Sequence, residues 1–255
     1  KSGLCSIINK KQMAINVDTV YKTVLLILNK EQRGYVTPDE FNKIGTQVQL
    51  EIFEKYFEDL NQQLRVPQAD SEYADRQKNI DNNISIFKTI GNSSYNASGY
   101  FMPPSDLHRI GTVIYKDEKE LQRVQRNELL NINLSALTKP TVTYPIYIYE
   151  NGSTTTLPRI YVYPKTITSA SDITISYVRK PLNVKWAYQQ IGGGAWTSGP
   201  YIYDSTNSVQ FELDNTEQTS VITNILLYMG IVIKDPQIIQ VAAQQAQAEE
   251  VNKKS

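Results

Sequence analysis

Between Val17 and Leu28 the apolar positions Val17, Val20, Tyr21, Val24, Leu25, Ile27 and Leu28 recur at three- and four-residue steps, the signature of a helix buried on one broad face. Asp18 complements the positive end of its dipole. A second helix start is written in Thr37-Pro38-Asp39-Glu40: Thr is the N-cap, Pro occupies the first helical position, and Glu three residues on reaches back to the cap N–H. Phe41, Ile44, Val48, Ile52, Tyr56, Leu60 and Leu64 continue the stripe, which Leu50, Phe53 and Phe57 widen, so this helix is predicted to run to about Leu64. A turn containing Gly34 joins the two. A face this wide needs more cover than one partner helix gives, either from the rest of the chain or from a neighbour. Residues 68–90 hold only Tyr73, Ile80, Ile84 and Phe87 as anchors and predict a weaker third helix or an arm.

The period changes after Gly91. NSSYNASGYFMPPSD is turn chemistry, and short β-branched and aromatic runs follow, punctuated by Pro, Gly and Asn. Thr143 to Tyr149 and Arg159 to Tyr163 read as a hairpin, with Tyr147 and Tyr149 on one face and Ile146 and Ile148 on the other. Asp172 to Arg179 reads as a further strand. From Phe211 the helical period returns: Asp214 and Glu217 have capping-box spacing, and Asp235-Pro236 starts a last helix rich in Ala and Gln. The expectation is an α+β chain: a helical bundle from both ends, residues 1–94 and 213–255, with an antiparallel β domain inserted at 95–212.

Charge and composition then close off several classes of function. Lys and Arg number 26 and Asp and Glu 26, so no global field draws the protein to nucleic acid or an anionic membrane. The longest apolar run, Ile225 to Ile233, is broken by Gly230 and is far below the roughly 20 residues of a membrane span. One Cys (Cys5) forms no internal disulfide, and no apolar stretch behind a basic start marks a secretory signal, which makes the cytosol the expected place of synthesis. Met13 opens a segment that reads like a natural start, which leaves residues 1–12 open as an upstream extension, a processed terminus or a non-native addition.

Candidate chemistry is sparse. A twelve-residue calcium-loop template laid on Asn29 to Glu40 matches at Gly34 and Glu40, but puts the guanidinium of Arg33 where an oxygen ligand belongs; an interhelical turn is the better reading. His108, near Ser105 and Asp106, has no nucleophile-elbow context and reads as structural. Gly192-Gly193-Gly194 lacks the Lys-Ser/Thr ending of a phosphate loop. The pairs Glu58-Asp59 and Asp117-Glu118 have nothing apolar beside them to raise a pKa. Trp186, Tyr188, Trp196, Tyr201 and Tyr203 leave three readings open: core and cross-strand packing, a protein interface, or a glycan platform. No enzyme, metal or cofactor is expected.

The opening NVDTVYKTVLLILNKEQRGYVTPDEFNKIGTQVQLEIFEKYFEDLN, the central ISYVRKP and the closing FELDNTEQTSVITNILLYMGIVIKDPQIIQVAAQQAQAEE resemble, in order and texture, the head-to-tail connector ring (adaptor) proteins of tailed bacteriophages, nearest to those of crAss-like short-tailed phages. That resemblance implies a virion protein at the portal vertex: a homo-oligomeric ring of about a dozen copies, bound to the portal and further tail or ring proteins. DNA would pass through its channel, at ejection too, without sequence recognition, and no membrane would be involved. The expected interface residues are Tyr56 and Phe57 on the long helix, Trp186 and Trp196 in the aromatic loops, and Ile238, Ile239 and Val241 on the thin last helix. The rival expectation is a carbohydrate-binding or adhesion module using the Tyr/Trp loops.

Overall fold

Both leading helices form where capping and periodicity place them. Asn16 Oδ1 accepts from the N–H groups of Asp18 (2.8 Å) and Thr19 (3.1 Å), which starts helix α1, Val17–Lys30. Helix α2, Pro38–Gln63, begins with the expected reciprocal box: Thr37 N–H donates to the Glu40 carboxylate at 2.9 Å, and Glu40 N–H to Thr37 Oγ1 at 3.3 Å. The computed structural model describes residues 14–30, 36–63, 71–151, 158–190, 201–233 and 236–254. A third helix, α3 (Ser71–Ser85), precedes strands β1 (Lys88–Asn92), β2 (Ser94–Asn96), β3 (Tyr100–Met102), β4 (Leu107–Tyr115), β5 (Lys119–Glu120) and β6 (Gln122–Arg123). Helix α4 (Arg126–Leu134), β7 (Ile146–Asn151), β8 (Pro158–Tyr163), β9 (Ile173–Arg179), β10 (Tyr188–Gln190) and β11 (Tyr201–Tyr203) follow, and α5 (Gln218–Ile233) and α6 (Pro236–Lys254) complete a mixed α+β chain.

Contacts divide the chain into two compact units, Ile84–Lys180 and Lys1–Asn83 with Pro181–Ser255. The expected β domain of 95–212 is therefore displaced at both ends. At its start, β1 is already paired with β9, from Lys88↔Val178 to Asn92↔Thr174. At its end, β10 and β11 form a separate two-stranded sheet, and Leu182, Val184, Trp186 and Glu212 are hydrogen-bonded to α2.

The Ile84–Lys180 unit is built in layers. A four-stranded sheet, β1-β9-β4-β5, and a five-stranded sheet, β2-β3-β8-β7-β6, share one core. Val113 and Tyr115 of β4 and Ile173 and Ile175 of β9 meet Phe101, Tyr147, Ile160 and Val162 from the other sheet. Alternation along β7 falls as the sequence predicts, with Tyr147 in this core and Ile146 and Ile148 on the reverse face. That reverse face is covered by α4, a helix inside the stretch expected to be all β. Its Leu129 is buried with Val124, Ile146 and Ile148, and Ile132, Tyr161 and Tyr163 pack around them. Because the chain crosses through α4 between β6 and β7, those two strands run parallel, the exception to the antiparallel expectation.

In the other unit, the wide apolar face of the leading helices is covered by the chain itself. Tyr21, Val24, Phe41, Val48, Ile52, Phe53, Tyr56 and Phe57 are all buried. Helix α5 packs on α1 and α2 and contributes Val221, Ile225 and Met229 to the buried set. The remaining cover is an extended strap laid along α2. Asn42 accepts from Trp186 N–H (2.6 Å) and donates to its carbonyl (3.3 Å), Thr46 Oγ1 accepts from Val184 N–H (3.1 Å), and Gln49 donates to the Leu182 carbonyl (2.7 Å). A helical turn of about 5.4 Å is near the ~6.6 Å rise of two strand residues, so each turn of α2 presents one polar side chain to every second strap residue. Gly45 lies on this face because Phe211 does: an added methyl would stand 3.3 Å from Phe211 Cζ.

Candidate interaction surface

The largest unfilled demand for packing among the described residues sits on the outer side of α4. Leu129 and Ile132 face the sheet at three-residue spacing, and Leu130 and Leu134, four residues apart, share the opposite face. Leu134 is 85% exposed and Leu137 94%, and Leu130, Val142 and Tyr144 are exposed with them. Isolated exposed leucines are ordinary, but five large apolar side chains exposed within residues 130–144 make this stretch a candidate contact surface.

The segment beyond α4 is fixed by its own polar groups. Thr138 Oγ1 donates to the Ile132 carbonyl at 2.8 Å, satisfying one of the orphan carbonyls at the helix end. Leu137 N–H donates to Ser135 Oγ (3.3 Å), Lys139 N–H to the Ser135 carbonyl (3.1 Å) and Tyr144 N–H to the Thr141 carbonyl (3.1 Å). At the other end of α4, Gln125 N–H donates to the Glu128 carboxylate at 2.9 Å. Arg126 grips Glu150 of β7 in a two-pronged ion pair of 2.9 and 2.5 Å. That contact holds the Glu150 carboxyl below its ordinary range and raises the Arg126 guanidinium further. A cleft of about 430 Å³ borders the surface, lined by Lys119, Glu120, Gln122, Tyr144, Pro145 and Ile146.

Charge is distributed unevenly between the two units. Ile84–Lys180 contains eleven Lys and Arg against seven Asp and Glu, and the remainder of the chain fifteen against nineteen, so the zero net charge divides into +4 and −4. Lys119, Arg123, Arg126 and Lys139 accompany the α4 surface in sequence. On the other unit, the exposed ridge of α2 carries Asp39, Glu40, Glu51, Glu54 and Glu58, interrupted by Lys43.

The residues expected at an interface are placed differently. Tyr56, Phe57 and Trp186 are buried within the chain. Burial pushes the Tyr56 phenol upward, with the carboxylates of Glu217, Asp214 and Asp59 adding to it. The Trp186 ring lies 4.4 Å from that of Tyr21 and stacks on Tyr188 and Tyr203, and its Nε1 donates to Asp18 at 3.1 Å. This is core packing, and it leaves no Trp186 face for a sugar. Val241 is exposed on α6. Trp196, Gly192 to Gly194 and the side chains of Ile238 and Ile239 lie outside the described residues. Sequence reading missed the α4 surface because a nine-residue helix with leucines on two faces gives no clean period.

Two of the other candidate carboxylates are engaged in hydrogen bonds. The Glu40 carboxylate is occupied by Thr37, whose N–H and hydroxyl both donate to it and lower its pKa, and residues 31–35 of the calcium-loop template lie outside the described residues. Asp106 accepts from the Tyr177 hydroxyl at 2.9 Å and is committed to that bond; burial and this contact push Tyr177 up to about 12. No group of three or more His, Cys, Asp or Glu that would hold a metal occurs among the described residues. No described helix is long and apolar enough to cross a membrane.

No protein-family model matches the chain, and comparison with characterised proteins finds no relative.

Proposed function

We propose that this chain is a structural virion protein, one subunit of an oligomeric ring in the head-to-tail connector of a tailed bacteriophage. The ring joins portal to tail at the portal vertex and lines the DNA channel, with about a dozen copies in a 12-fold arrangement. Its wall is a helical bundle formed from both ends of the chain, and the inserted β unit is the part that reaches neighbouring subunits or rings. Two supports carry this reading: the resemblance of the opening, central and closing segments to adaptor proteins, and the exposed surface of Leu130, Leu134, Leu137, Val142 and Tyr144. The surface carries the reading, because five large apolar side chains exposed within residues 130–144 are a denser group than the exposed ones elsewhere among the described residues. The wide apolar face of α1 and α2 is covered within the chain and contributes no contact between copies.

Electron imaging of the particle tests the proposal. Density for this chain as a closed ring between portal and tail is the expected result, and a monomer absent from the portal vertex ends the reading. The rival carbohydrate-binding module loses Trp186, which is committed to Tyr21, Tyr188 and Tyr203, and would rest on Tyr201 and on Trp196, which lies outside the described residues.

A further inference from the structure

We infer that the α4 surface of one copy docks head to tail on the acidic ridge of α2 in the next copy, an assignment that rests on the ring reading and gives it a contact. The apolar centre is Leu130, Leu134 and Leu137, with Val142 and Tyr144 near them in sequence; the exposed Lys119 and Lys139 accompany them, as do the exposed Glu120 and Glu128, within a unit whose net charge is +4. The receiving surface has the opposite character. Glu40, Lys43, Gln47, Glu51, Glu54 and Glu58 follow one another at three- and four-residue steps along the exposed side of α2, with the half-buried Ile44 on one edge of this ridge and the half-buried Leu50 on the other. Lysines meeting the glutamates set the register, and the leucines gain burial against the apolar edges of the ridge.

The charge division decides the symmetry of the contact. A two-fold pairing of α4 surfaces would bring two units of +4 together, whereas the head-to-tail arrangement sets +4 against −4. Head-to-tail contacts leave one donor and one acceptor face free on every pair, so they propagate and close into a ring when the rotation permits. A neutral chain with two oppositely charged units is suited to this, because each added copy cancels the charge it meets.

Two variants of the full chain separate the faces. Leu134→Asp with Leu137→Asp spoils the α4 surface at side chains that are almost wholly exposed. Glu54→Lys with Glu58→Lys reverses the ridge. Circular dichroism melts matching the parent show that each variant folds, and sedimentation velocity reads association. The parent is expected to form large species, and each variant alone to be monomeric, its self-association weakened about 100-fold. Mixed one to one, the variants are expected to form dimers and stop there, since each retains the face the other lacks.

If the α4 variant assembles like the parent, or if the mixture stays monomeric, the head-to-tail assignment is wrong while the ring reading stands. A parent chain that is monomeric in solution and also missing from the portal vertex overturns both.

Discussion

A methyl group added at Gly111 would lie 2.8 Å from the backbone oxygen of Ser176, closer than real Cβ contacts come, because β4 bulges against β9 between Ile110 and Thr112. Ser176 O belongs to the backbone and has little room to retreat, so Gly111→Ala is expected to cost about 2 kcal/mol in a chemical melt. The turn after β4 is the opposite case. Lys116 and Asp117 both hold positive φ, 50° and 54°, with Glu118 N–H bonded to the Tyr115 carbonyl at 3.2 Å. Asp117→Gly relieves that conformation and is expected to raise stability by about 0.5–1 kcal/mol, read as a higher denaturant midpoint. Sequence reading had no means of separating these two positions, since the bulge is set by a partner strand more than sixty residues away. It did anticipate Tyr147 and Ile148 on opposite faces, because alternation within one strand is local information.

Among the elements, α2 shows best which physics a sequence carries openly. Its cap and apolar stripe are written in residues three and four apart, and both form as expected. The polar stripe of Asn42, Thr46 and Gln49 is as regular, yet its meaning depends on a strap 133 to 144 residues downstream. Gln49 is fully buried, donating to the Leu182 carbonyl and accepting from Glu212 N–H at 2.8 Å. Gln49→Leu keeps the volume but strands both backbone groups, so a loss of about 2–4 kcal/mol is expected in the melt; an unchanged midpoint would show that the strap contributes little. Helix α4 is tied down by charge as well as by Leu129. The Arg126 contact depresses the Glu150 pKa, so its stabilisation is present above the unfolded carboxyl value and is lost as pH falls through the lower folded value. Acid titration followed by NMR is expected to shift the resonances of Arg126 and its neighbours over that window, and Glu150→Gln to remove that response; a profile identical in the variant counts against the anchor.

At the scale of the molecule, the α+β character and the return of helices at the C-terminal end are legible from period alone, while the bounds of the inserted unit are not. Residues 181–190 and 201–213 have β-like composition, but β10 pairs with β11 while Leu182, Val184, Trp186 and Glu212 bond to α2, and composition does not reveal these partners. The inserted unit, by contrast, closes on itself. Its first and last strands, β1 and β9, are neighbours, and Arg179 N–H donates to the Phe87 carbonyl at 2.9 Å, so the chain enters and leaves the unit side by side. Ends that meet in this way let a segment be cut out without opening its sheets, and its two-sheet core draws only on its own residues. A fragment of residues 84–180 is therefore expected to fold alone, with dispersed amide resonances and a single cooperative melt. The same fragment carries +4, so it should remain soluble yet bind the parent chain more weakly as salt rises. A collapsed spectrum without dispersion would mean that the unit depends on the helical part for its fold, and that the division at Ile84 and Lys180 marks contact density, not independent stability.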